Sequence, residues 1–73
     1  HKKLTLNAIA LLKELPDMYR DALFMYYVEE LSVTEIAESL GESPNNISVR
    51  IHRGLEKLKK IYHRSGQSGA HSE

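Results

Sequence analysis

Asn45, Asn46, Ser48, Arg50, His52 and Arg53 crowd into one nine-residue stretch, with Lys57 and Lys60 following. Carboxamides and guanidinium forks can make paired hydrogen bonds to base edges, and hydroxyl and imidazole groups can reach bases or phosphates. Lysines are point charges better suited to phosphate. Asn46, Arg50, Arg53, Lys57, Lys60 and Arg64 recur at spacings of four, three, four, three and four. Ile47, Ile51, Leu55, Leu58 and Tyr62 recur at four, four, three and four. Two stripes at helical period on one segment predict a helix that packs with one face and presents donors and positive charge with the other. A lysine-rich stripe alone is most often only a solvated face. The concentration of Asn, Ser, Arg and His in its N-terminal half is what favours nucleic acid.

The segment before that stripe carries the signals that would position it. In SVTEIAESLGESPNNISVRIHRG, residues 32–54, Ser32 and Glu35 have the spacing of a capping box. Ile36 and Leu40 supply an apolar stripe, with small Ala37 between them. Gly41 falls where a left-handed residue closes a helix at little cost. Ser43 then reads as the N-cap of the next helix and Pro44 as its first residue, where the missing N–H is not needed. Start, stop and restart in so short a run predict a helix-turn-helix, with helices over 33–40 and 44–63.

Two further helices are expected upstream. Residues 4–15 place Ala8, Ile9, Leu11, Leu12 and Leu15 at helical spacing, with Thr5 or Asn7 as candidate caps. Pro16 stands between this helix and the next, more naturally as the first residue of the second, with Asp17 in its opening turn. That helix, over 17–28, is dense in Met18, Tyr19, Leu23, Phe24, Met25, Tyr26, Tyr27 and Val28. So many aromatics could stack on single-stranded bases, but their helical spacing and the single interleaved Arg20 favour core packing. Residues 65–73, SGQSGAHSE, are turn formers with little apolar mass and are expected to be disordered. No internal repeat is evident. The fold expected is an all-α, three- to four-helix domain with a helix-turn-helix over 1–64.

Composition narrows the function. Seventy-three residues suit one small domain, and the absence of cysteine excludes disulfides and thiolate metal sites. Four histidines lack ligand spacing, so no metal or cofactor is expected. Glu35 and Glu38 have no catalytic partner, His52 has only Arg53 beside it, and so small a domain has little room for a pocket. An enzyme is not expected. No apolar run is long enough for a membrane span and no signal-peptide pattern precedes the first helix, so a cytoplasmic protein without membrane insertion is expected. The chain begins HKKL without an initiator Met, which suggests a piece of something longer. Net charge is zero, yet residues 1–42 carry four basic and eight acidic groups while 43–73 carry six and two. Such an asymmetry would orient the basic helix toward phosphate, and the small number of cations implies modest affinity.

The run LPDMYRDALFMYYVEELSVTEIAESLGESPNNISVRIHRGLEKLKK resembles region 4 of bacterial sigma factors of the extracytoplasmic-function group. The Leu-Pro…acidic…Tyr-Arg opening is matched by Leu15, Pro16, Asp17, Tyr19 and Arg20. The Leu-Ser and E-I-A-x-x-L-G blocks are matched by Leu31, Ser32, Glu35, Ile36, Ala37, Leu40 and Gly41. The serine cap and R-[LI]-H-R run are matched by Ser43, Ile47, Arg50, Ile51, His52 and Arg53. The resemblance implies a four-helix domain that reads the −35 promoter element in double-stranded DNA, a GGAAC-like sequence in this group, while docked on the β flap of RNA polymerase. It also implies an anti-sigma factor as a partner. Carried over by position, the family's DNA contacts fall on Asn45, Asn46, Ser48, Val49, Arg50, His52 and Arg53. Ser48 stands where the family usually has Lys or Arg, Asn46 where it has Thr, and Tyr26 where an Arg is frequent. Glu30 stands where Gly is frequent and Glu42 where an apolar residue is. LuxR-type regulators share the E-I-A-x-x-L block but usually lack the Leu-Pro…Tyr-Arg helix just upstream. A third possibility is a domain acting mainly through polymerase or anti-sigma binding.

Overall fold

The computed structural model describes residues 4–64 and is all-α over that span: α1 (Leu6–Leu11), α2 (Asp17–Leu23), α3 (Val33–Leu40) and α4 (Pro44–Arg64). The tail expected to be disordered, 65–73, lies outside the described residues.

Helix α1 starts at Thr5, whose Oγ1 accepts from the Ala8 amide at 3.1 Å. It is shorter than the 4–15 segment that apolar spacing predicts. Pro16 is the cause: its ring bars the helical conformation at the preceding residue, and Leu15 is extended at φ −91° and ψ 153°. The last turn before it tightens into a 3₁₀ turn over Leu12–Glu14. Pro16 is itself the N-cap of α2 rather than its first residue, its carbonyl accepting from the amides of Tyr19 and Arg20, each at 3.0 Å.

The expected 17–28 helix is regular only to Leu23, then widens into a π turn over Phe24–Val28. The Glu29 amide reaches back five residues to the Phe24 carbonyl at 3.1 Å, and the Leu31 amide returns to Met25 at 3.0 Å. An extra residue in one turn rotates every side chain after it. Of the eight large apolar residues expected in the core here, only Leu23 is fully buried. Met18, Phe24 and Val28 are 49%, 40% and 38% exposed, and Tyr19, Met25, Tyr26 and Tyr27 pack at the core's margin.

Closing that turn puts Glu30 at φ 58°, the one non-glycine residue described in the left-handed region. A side chain there costs about 1–2 kcal/mol, part of which glycine would return through the greater freedom of its unfolded chain. Glu30→Gly is therefore expected to stabilise the domain by about 0.5–1 kcal/mol, raising Tm by roughly 3–6 °C in a circular-dichroism melt. An unchanged or lower Tm would mean that the Glu30 side chain contributes something the strain argument omits.

Helices α2 and α3 and the front of α1 bury their apolar faces on α4. Ala22, Leu23, Ile36 and Ile47 are completely buried, and Ala8, Leu12, Leu15, Ala37, Ile51 and Leu58 complete the core. Of the stripe expected on α4, Leu55 and Tyr62 remain partly exposed. Gly54 takes a buried place on that face. A Cβ at Gly54 would lie 3.2 Å from Leu23 Cδ1 and 3.4 Å from Tyr19 Cβ. Its missing side chain is what lets α2 lie this close to α4.

Candidate nucleic-acid interface

The turn between α3 and α4 is closed by local chemistry. At the start of α3 the Ser32 amide donates to Glu35 Oε1 at 2.8 Å and the Glu35 amide to Ser32 Oγ at 3.1 Å, the reciprocal capping box. At its end Gly41 is left-handed at φ 71°, and the Glu42 amide donates to the Ala37 carbonyl at 2.9 Å. Helix α4 restarts at once, with the Asn46 amide donating to Ser43 Oγ at 3.1 Å. With Ile36, Ala37, Ile47 and Ile51 buried between them, the two helices are held as a rigid corner. Twenty-one residues make α4 about 31 Å long.

In the N-terminal half of α4, Asn45, Asn46, Ser48, Val49, His52 and Arg53 are all exposed, as are Lys57 and Lys60 further along. Shallow depressions flank the ridge on both sides. Asn46, Val49, Arg50 and Arg53 border one of about 190 Å³ together with Met18 and Tyr19 of α2. Ser48 and His52 border the other, of about 280 Å³, with Tyr26, Tyr27 and Val33. The site residues read from the sequence thus fall on two sides of α4, Ser48 and His52 toward one depression and Asn46, Val49, Arg50 and Arg53 toward the other.

Arg50 differs from its neighbours. Its guanidinium lies 3.2 Å from Glu42 Oε2, and its side chain is only 14% exposed against 35% for Glu42. The other oxygen, Glu42 Oε1, accepts from Asn46 Nδ2 at 3.5 Å, a long bond. One carboxylate in the turn therefore engages two of the residues assigned to DNA contact. An ion pair that water still reaches through the more open Glu42 contributes little net stability, so this one is a minor part of what holds the fold. Glu42 stood out in the sequence only as an acid where an apolar residue is frequent; its pairing was not foreseen. The available signal was its spacing, four residues before Asn46 and eight before Arg50, on the near face of the coming helix.

Tyr19, Tyr26 and Tyr27, for which the sequence favours packing over base stacking, stand at the borders of these depressions. Lys57 Nζ sits 5.5 Å from the centre of the Tyr19 ring, a cation–π distance that draws Lys57 toward α2. Tyr26 and Tyr27 meet edge to face with centroids 5.0 Å apart. Burial, and secondarily Tyr26 beside it, push the Tyr27 phenol above its ordinary ionisation near 10.0. Arg20 is held within α2 by Asp17 at 3.0 Å and Asp21 at 3.5 Å. Among the described residues no group of His, Cys, Asp and Glu is arranged to hold a metal ion, and no helix is long and apolar enough to cross a membrane.

A capped helix-turn-helix with a donor-rich, partly cationic second helix is found in many regulators, and geometry alone does not distinguish them. Comparison with known proteins does: the family model for sigma-70, region 4 matches residues 5–58. The chain belongs to the sigma-70 region 4 family. The match includes Leu15, Pro16, Tyr19 and Arg20, the upstream helix that LuxR-type modules usually lack, and that alternative falls. Region 4 of this chain is similar to the ECF RNA polymerase sigma factor SigW of Bacillus subtilis (strain 168), 45% identical over 47 residues, covering 64% of this chain and 25% of the relative. SigM, an ECF RNA polymerase sigma factor of the same organism, is 38% identical over 53 residues, covering 73% and 32%. The RNA polymerase sigma factor SigZ, again of that organism, is 37% identical over 60 residues, covering 82% and 34%. The chain thus spans about a quarter to a third of the length of these relatives. No solved structure matches it.

Proposed function

We propose that this region 4 domain reads the −35 promoter element with the N-terminal half of α4 while docked on RNA polymerase, directing transcription initiation as part of an extracytoplasmic-function sigma factor. The observation that carries this reading is the exposure, on one helix of a sigma region 4 domain, of Asn45, Asn46, Ser48, Val49, His52 and Arg53. In the major groove Arg53 would donate two of its guanidinium N–H groups to O6 and N7 of a guanine, and Asn46 would pair with an adenine. Arg50 would contribute from its place beside Glu42. Lys57 and Lys60 lie one to two turns further along, where the helix would leave the groove past the phosphates. Half-exposed Phe24 and Val28 supply apolar area for a protein partner, polymerase or an anti-sigma factor.

The test is equilibrium binding to two duplexes of equal composition, one with a GGAAC-like element and one scrambled. At moderate salt the first is expected to bind at least tenfold tighter; equal affinities would refute promoter reading by this domain. Lys57→Ala should weaken both duplexes alike and make the slope of log K against log salt shallower by about one. A selective loss on the GGAAC-like duplex would instead place Lys57 on a base.

A further inference from the structure

Glu42 is an unexpected group to find at the front of a DNA-reading helix. A carboxylate repels phosphate, and the sequence places it immediately before the N-cap of α4. Its backbone is fixed, because its amide closes the α3 terminus on the Ala37 carbonyl. From that anchor Oε2 meets the Arg50 guanidinium and Oε1 the Asn46 amide nitrogen. Two consequences follow from the chemistry. The ion pair biases the Arg50 side chain toward one arrangement, so less side-chain freedom is lost when it contacts a base. The Asn46 Nδ2 lies toward Glu42 Oε1 at 3.5 Å, and the carboxylate favours this amide orientation over the flipped one, the distinction that adenine recognition requires.

The same pairing also bears on unwanted DNA. A free arginine at this position would bind any phosphate. Paired with a carboxylate, it presents little net charge to the backbone, and approach in a wrong register brings Glu42 itself toward phosphate. Selectivity built by penalising the competitor is a general device. We infer that Glu42 is a specificity-determining positioning residue: through Arg50 and Asn46 it orders the base-reading edge of α4 and withholds Arg50 from general phosphate binding. The inference rests on the proposed reading of α4 as the promoter-recognition helix.

Wild type, Glu42→Ala and Glu42→Gln would be titrated with the GGAAC-like and scrambled duplexes across a salt series. Glu42→Ala is expected to bind scrambled DNA three- to tenfold more tightly, with the ratio of specific to scrambled affinity falling at least fivefold. Its salt slope on scrambled DNA should steepen by about one, the value of one further phosphate contact. Glu42→Gln keeps an acceptor for Arg50 without the charge. It should share the tighter scrambled binding while retaining more of the ratio, which a merely structural role would not produce. If Glu42→Ala disturbs the turn enough to lower helicity, Glu42→Gln carries the comparison alone. A ratio and salt slope unchanged from wild type would overturn the inference. Wild type that fails to discriminate the duplexes would overturn the proposed function itself, and that failure is visible in the wild-type arm before any variant is measured.

Discussion

Replacing Arg50 and Arg53 together with alanine is expected to lower affinity for a GGAAC-like duplex by roughly 30- to 700-fold, about 2–4 kcal/mol, while leaving helicity intact. The size follows from the contacts at stake, since each well-placed bidentate pair to a base contributes about 1–3 kcal/mol of discrimination. The two residues enter unequally. Arg53 is exposed and unpaired with any acid among the described contacts, so its whole donor fork is open to a base or phosphate. Arg50 is engaged by Glu42 at 3.2 Å, and removing it also releases that carboxylate onto the DNA-facing surface. Neither side chain lies in the core, and a circular-dichroism melt should shift by no more than a few degrees. Binding to RNA polymerase should survive. If the double variant bound the specific duplex as wild type does, the assignment of α4 as the reading helix would be wrong.

Leu23→Ala is expected to be the most damaging single truncation for stability. Leu23 is completely buried and meets Gly54 of α4 at the closest approach of α2 and α4. Large-to-small changes at such sites cost about 2–5 kcal/mol. A domain of this size has roughly 3–9 kcal/mol of stability in all, so the variant should be close to unfolding at 25 °C. The loss reaches function because α4 is seated on α2 and α3; without the Leu23 contact the reading face has no fixed platform. Urea unfolding followed by far-UV circular dichroism measures the change. A cost below 1 kcal/mol would show that the α2–α4 seam is not where the fold is held.

What the sequence revealed most fully were features settled within a few residues. The Ser32–Glu35 capping box, the left-handed Gly41 and the Ser43 cap are each written by neighbours three or four positions apart, and the structure has all three. The burial of Ile47, Ile51 and Leu58 follows from helical period alone. The region 4 resemblance added the family, which motif and fold by themselves leave among several helix-turn-helix classes.

Less was legible where one residue shifts the phase of those that follow. Periodicity assumes 3.6 residues per turn, so it could not register the π turn over Phe24–Val28, and Phe24 and Val28 were placed in the core instead of at the surface. Pro16 was set one position too far into α2, because proline's conformational fit to a first turn also suits the capping residue before it. The Glu42–Arg50 pair was hidden for another reason. It crosses a helix boundary, and only the left-handed turn at Gly41 decides whether a side chain at position 42 faces back over α4.

The central claim is that α4 reads bases with its N-terminal half, and an NMR titration of the labelled domain with the GGAAC-like and scrambled duplexes tests it residue by residue. Selective shifts across Asn45 to Arg53 that persist at moderate salt with the first duplex alone are the expected result. Equal, salt-sensitive shifts with both duplexes, spread along Lys57, Lys59 and Lys60, would contradict it and reduce the interaction to general attraction between a cationic stripe and phosphate.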